Sequence, residues 1–126
     1  MERPLVYILD DELMVGKFVE KAISQEADVQ VFTEEQECLE ILKVKPPDFL
    51  IIDYYLNKMT GLEFYDLTSS YLDSTEVIFL SGQNDLTIVY QIINKKIGKY
   101  VIKGEDMIEC ITCLLVGDLE RYEELL

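Results

Sequence analysis

No histidine occurs in the 126 residues, which excludes a histidine general base, a Ser/His/Asp triad and a phosphohistidine carried by this chain. Basic residues are also scarce: eleven Lys and Arg stand against twenty-five Asp and Glu, a formal charge of -14. That charge repels nucleic acid and anionic lipid at long range, so neither is expected as a direct partner. The three cysteines, Cys38, Cys110 and Cys113, are odd in number and fit a reducing compartment better than a disulfide framework. Cys110 and Cys113 match C-x-x-C but sit in a helical run with no histidine to complete a zinc site, so they read as helix-packing residues. No apolar run approaches the ~20 residues that cross a bilayer, and no basic segment precedes an apolar run at the amino terminus. The expectation is a soluble, cytoplasmic protein without membrane association. Its length suits a single domain over residues 1–126, with one core and no attached output domain.

What is present is organised around Phe49-Leu50-Ile51-Ile52-Asp53-Tyr54-Tyr55, closed by Gly61. Four apolar residues after Pro46-Pro47 read as a fully buried parallel strand that ends abruptly on a carboxylate. Leu5–Leu9 is a second such run, ended by Asp10-Asp11-Glu12, and the helix after it is expected to bury Val15, Phe18, Val19, Ala22 and Ile23. Val29–Phe32 reads as a short strand. Thr33-x-x-Gln36 reads as a capping box for a helix that carries Cys38, Leu39, Ile41 and Leu42 and stops before Pro46. Gly61 opens the next helix, Glu76–Leu80 is a strand ending on Ser81-Gly82, and a helix is expected from about Asp85 to Asn94. Lys99–Ile102 forms the fifth strand, ending on Lys103, and the last helix is expected from near Glu105 almost to Leu126. Strands alternating with helices indicate a parallel sheet covered on both faces.

Four of the five strands therefore end in Asp10-Asp11, Asp53, Ser81 and Lys103, and in a parallel sheet those ends share one edge. Each has an ordinary reading by itself: a helix start rich in acids, a loop cap, a turn residue, a solvated charge. Converging, the three carboxylates need a counter-charge, and a hard divalent cation such as Mg2+ or Mn2+ suits them. The edge reads as a phosphate site made workable by metal.

Taken in order, these residues resemble the receiver domain of two-component response regulators, and the resemblance covers essentially the whole chain. The family has an acidic pair after the first strand (Asp10, Asp11), a phosphoacceptor aspartate after the third (Asp53) and a hydroxyl residue followed by a small one after the fourth (Ser81, Gly82). A lysine follows the fifth (Lys103), with a switch aromatic three residues before it (Tyr100), and Met59 and Gly61 also match the family's loop after the phosphoacceptor. The resemblance implies a flavodoxin-like (βα)5 fold, an α/β doubly wound five-stranded parallel sheet in the order 2-1-3-4-5 with helices on both faces. It implies that Asp53 takes a phosphoryl group from a partner histidine kinase or histidine phosphotransferase. Mg2+ is then held by Asp11, Asp53 and the backbone carbonyl of Tyr55, with Asp10 nearby, and Lys103 screens the incoming oxygens. By the same resemblance, Ser81 moves toward the phosphoryl group, Tyr100 turns inward, and a surface for a downstream protein target changes. Mg2+-dependent self-phosphorylation and self-dephosphorylation at Asp53 are expected with it.

Gly104 replaces the proline usual after the lysine, so a trans Lys103-Gly104 bond is expected. Asn57 replaces a second proline and loosens the loop, while the bulky Tyr55 lies beside the path of attacking water and suggests slow dephosphorylation. Leu86, Ile88, Val89, Tyr90, Ile92 and Ile93 give the fourth helix more apolar character than one buried stripe needs. Leu115, Leu119, Tyr122 and Leu126 repeat at 4, 3, 4 spacing into a helix extension over 117–126. That extension either packs back on its own domain or supports a homodimer through the last two helices. The main functional alternative to a phosphoryl-accepting switch is a pseudo-receiver, a protein-binding module working without phosphorylation. A flavodoxin-like electron carrier is disfavoured by three acids where a flavin phosphate would sit, and a haloacid-dehalogenase-type phosphatase by Tyr55, where a second aspartate is required.

Overall fold

Strands form where apolar runs are closed by charged or turn residues, and helices where apolar residues recur every three or four positions. In the computed structural model, which describes residues 3–82 and 86–126, the order is β1 (Leu5–Leu9), α1 (Leu13–Ile23), β2 (Asp28–Phe32), α2 (Glu35–Val44), β3 (Phe49–Asp53) and α3 (Gly61–Thr68). There follow β4 (Glu76–Ser81), α4 (Leu86–Lys95), β5 (Lys99–Ile102), α5 (Met107–Val116) and α6 (Leu119–Leu125). The strands pair in parallel in the order β2-β1-β3-β4-β5, as the resemblance implies. Leu9 pairs with Ile52, Asp53 with Leu80 and Ser81 with Ile102, so the carboxyl ends of the central strands lie side by side.

Side-chain alternation along each strand divides the core into two layers. Val6, Ile8, Ile51, Ile78, Leu80 and Val101 face α1, α5 and Tyr122 of α6. Tyr7, Leu9, Leu50, Ile52, Phe79 and Tyr100 face α2, α3 and α4. Both layers must be covered because these strands are apolar on both faces, as parallel strands usually are.

The structure corrects three local expectations. The buried stripe of α1 is Gly16, Val19 and Ile23, whereas Phe18 and Ala22 are exposed. Gly16 lies so close to β2 that a Cβ would stand 2.5 Å from Val31 Cγ1, which turns the helix face toward that glycine. Thr33 and Gln36 form no capping box: α2 is preceded by Glu34 without a side-chain cap. The last helix is not continuous. Gly117 adopts φ 80°, a left-handed conformation that glycine reaches at no Cβ penalty, and Asp118 caps a separate α6 by accepting from Arg121 N.

Of the apolar residues on α4, Ile88 and Ile92 are buried, while Leu86, Tyr90 and Ile93 are exposed, so the surplus apolar character is real. The expected start of α4 at Asp85 lies outside the described residues. The extension folds back through Tyr122, which is buried, and leaves Leu119 and Leu126 exposed. Among the described residues no peptide bond is cis, and Lys103-Gly104 is trans as expected. No helix of the described residues is long and apolar enough to cross a membrane.

Candidate functional site

Sheet pairing runs one residue past β1, with Asp10 N donating to Phe32 O at 3.0 Å, and so carries the Asp10 side chain fully below the surface. Its Oδ1 accepts from Glu12 N at 2.9 Å and its Oδ2 from Lys103 Nζ at 3.0 Å. Asp53 is itself the last residue of β3 and is 5% exposed. Lys103 is brought to both acids by β5: its backbone N donates to Ser81 O at 2.8 Å, and its Nζ lies 3.3 Å from Asp53 Oδ1. Ser81 is fully buried at the end of β4, beside this group. Tyr100 is buried in the α4 layer, so its ring already points inward.

The loop after β3 is fixed by several short-range devices. Gly61 N donates to Tyr54 O at 2.6 Å, and a Cβ on Gly61 would stand 2.7 Å from Asp53 O, an approach only glycine permits. Thr60 and Glu63 form a reciprocal capping box at the start of α3, each bond 3.1 Å. Buried Glu35 reaches across from α2 and accepts from Lys58 N at 3.1 Å. Tyr55 bridges to Thr60 and its ring, half exposed, packs edge-on against Tyr54 at 4.9 Å.

Carboxylate oxygens of Asp10, Asp11 and Asp53 all lie within 4.8 Å of one another. Burial, and then the neighbouring charge of Asp10, push the Asp53 carboxyl up to about 6; Lys103 and the Tyr55 backbone N–H pull the other way without prevailing. For Lys103, burial acts to lower the pKa, but the hydrogen bond and charge of Asp10, with those of Asp53, outweigh it and hold the ammonium above its ordinary value. One lysine therefore neutralises part of a three-carboxylate cluster and leaves it short of positive charge. The donor set is all oxygen and only partly compensated, which fits a hard divalent cation such as Mg2+.

Asp10, Asp11, Asp53 and Lys103 are thus brought together from three strand ends, with Ser81 adjoining them. The Thr60–Glu63 box carries the plain S/T-x-x-E pattern in the sequence. The Glu35 clamp left no sequence signal, because it depends on which elements become neighbours.

The family model for the response regulator receiver domain matches residues 6–114. The chain belongs to that family. It is 26% identical over 117 residues to the probable transcriptional regulatory protein NarL of Mycobacterium tuberculosis, a match that covers 90% of this chain and 54% of that protein. It is 23% identical over 125 residues to the DNA-binding transcriptional regulator NtrC of Proteus hauseri, covering 98% of this chain and 26% of that one. The chain thus spans about half or less of the length of these curated relatives. Among solved structures, a CheY-like response regulator receiver domain protein from Methanospirillum hungatei superposes with a TM-score of 0.79 at 17% identity, covering 95% of this chain and 99% of that one. This likeness concerns the fold. The chain is a receiver domain of two-component signalling.

Proposed function

We propose that Asp53 is the phosphoacceptor of this receiver domain. The supporting observation is its placement: a nearly buried carboxylate at a strand end, 3.3 Å from Lys103 Nζ and clustered with Asp10 and Asp11. In the transfer, an Asp53 oxygen forms a bond to phosphorus as the P–N bond of a partner's phosphohistidine breaks, and the imidazole leaves. The histidine must come from a kinase or phosphotransferase, since this chain has none. Phosphoryl transfer depends mostly on positioning and charge neutralisation, so a weak carboxylate nucleophile suffices. Asp10, Asp11 and Asp53, with the Tyr55 carbonyl, are the residues that would hold Mg2+ or Mn2+; when bound, the ion supplies the positive charge that the cluster lacks. Lys103 screens the phosphoryl oxygens, and Ser81 and Tyr100 carry the response.

The output of this domain is protein binding, centred on the exposed Leu86, Tyr90 and Ile93 face of α4 beside Tyr100. The charge of -14 argues against direct contact with nucleic acid by these residues, although one relative is a DNA-binding regulator as a whole protein. Homodimerisation through α5 and α6 remains part of the proposal, through exposed Val116, Leu119 and Leu126. Thermal unfolding with Mg2+ plus beryllofluoride, a phosphoryl mimic, tests the site. A rise of several degrees that Asp53→Asn abolishes supports it; an equal rise in both proteins, or none in either, favours the phosphorylation-independent pseudo-receiver.

A further inference from the structure

β5 is four residues long and last in the sheet. Lys103 N pairs toward β4, so by alternation the Tyr100 backbone faces the outer edge. There the Tyr122 hydroxyl accepts from Tyr100 N at 3.3 Å and donates to Tyr100 O at 2.8 Å, standing where a further strand would pair. The Tyr122 ring packs in the α1/α5 layer, while the Tyr100 ring lies in the opposite one. The residue three positions before Lys103 is therefore gripped from both sides of the sheet.

Apart from its turn back onto α5, little else holds α6. Tyr122 is its one buried residue, and its other ties are Leu125 packed at the edge of the core and exposed ion pairs such as Arg121 to Glu109 at 2.8 Å. A cleft of about 600 Å³ stays open between α6 and the end of α4, lined by Ile93, Lys96, Lys99 and Leu126 among others. Seven residues do not make a stable helix alone, and left-handed Gly117 gives α6 a hinge.

We infer that α6 is a latch on the outer edge of β5, docked by Tyr122 and loosened when the Asp53 site is occupied. The coupling rests on the phosphoacceptor reading above. As Lys103 leans onto phosphoryl oxygens it draws the end of a short strand toward Asp53. Of the two Tyr100–Tyr122 bonds, the N–H···O at 3.3 Å is already at the long limit and gives first, which leaves the 2.8 Å O–H···O bond to hold the dock alone. Release uncovers the β5 edge and frees Tyr100 on one side. Coupling is reciprocal, so weakening the latch must favour occupancy of the site.

Hydrogen exchange on the full chain, with and without Mg2+ plus beryllofluoride, tests this in wild type and Tyr122→Phe. The amides of residues 119–125 are expected to exchange about tenfold faster in Tyr122→Phe, and comparably faster in wild type on adding the mimic. Beryllofluoride is expected to bind Tyr122→Phe about fivefold tighter. A merely structural Tyr122 predicts unchanged or weaker binding in the variant. Wild type that binds the mimic with unchanged α6 exchange, or a folded variant that binds no tighter, overturns the latch and leaves the phosphoacceptor reading standing. Wild type that binds no mimic overturns that reading and the coupling with it. Should Tyr122→Phe fail to fold, the wild-type comparison alone decides.

Discussion

At Asp53 the free-energy conflict in this molecule is concentrated: burial and Asp10 disfavour its charge, and Lys103 offsets them only partly. Its pKa is raised, to about 6 from an ordinary 3.8, so the folded state keeps a proton that the unfolded chain has lost between those values. Stability from this group is fully present below pH ~4 and is lost as pH rises through about 6. Asp53→Asn, which mimics the neutral form, is therefore expected to change the metal-free Tm little at pH 4 and to raise it above pH 7. The gain should be on the order of 1–2 kcal/mol, allowing for solvent screening. Equal shifts at both pH values would contradict this sign. Lys103→Ala should act in the other direction, costing about 2–3 kcal/mol in metal-free protein by leaving two buried carboxylates without their cation. Added Mg2+ should then raise the variant's Tm by more than it raises that of wild type, as calorimetry can check.

At the scale of elements, the loop from β3 to α3 sets the geometry of the site. Gly61→Ala places a methyl against Asp53 O, a backbone atom that cannot yield without moving the acceptor. We expect a loss of about 2–3 kcal/mol in denaturant unfolding, together with weaker beryllofluoride binding. The turn after α4 offers a contrast. Lys96 has φ 55°, and its neighbour Ile97 N reaches back to Ile92 O, a helix-end motif that usually employs glycine. Lys96→Gly should therefore stabilise by roughly 0.5–1 kcal/mol, read as a rise in Tm.

Legibility follows the same distinction between local and assembled features. β1, β3 and β5 could be bounded from sequence because a buried parallel strand is a continuous apolar run with abrupt ends, and those ends exposed Asp10, Asp11, Asp53 and Lys103 together. The buried face of α1 is not legible in the periodicity, because it is set by the fit of Gly16 against Val31. The break at Gly117 was visible only as a weak position within a repeat. The grip of Tyr122 on Tyr100 required knowing that β5 is the sheet's edge.

For the whole molecule, two apolar layers hold a parallel sheet that presents one charged edge, and this edge is joined through β5 to an outlying helix. The chain is acidic as a whole and three carboxylates cluster at that edge, so a further negative group enters only with compensating cations. The curated relatives extend well beyond the matched stretch. The central claim, that the cluster of Asp10, Asp11 and Lys103 makes Asp53 a metal-dependent phosphoacceptor, is tested most directly by intact-protein mass after incubation with acetyl phosphate. The account predicts a gain of one phosphoryl group that requires Mg2+ and is absent in Asp53→Asn. A gain that survives in Asp53→Asn, or no gain with acetyl phosphate, phosphoramidate or a phosphorylated histidine kinase, would contradict it.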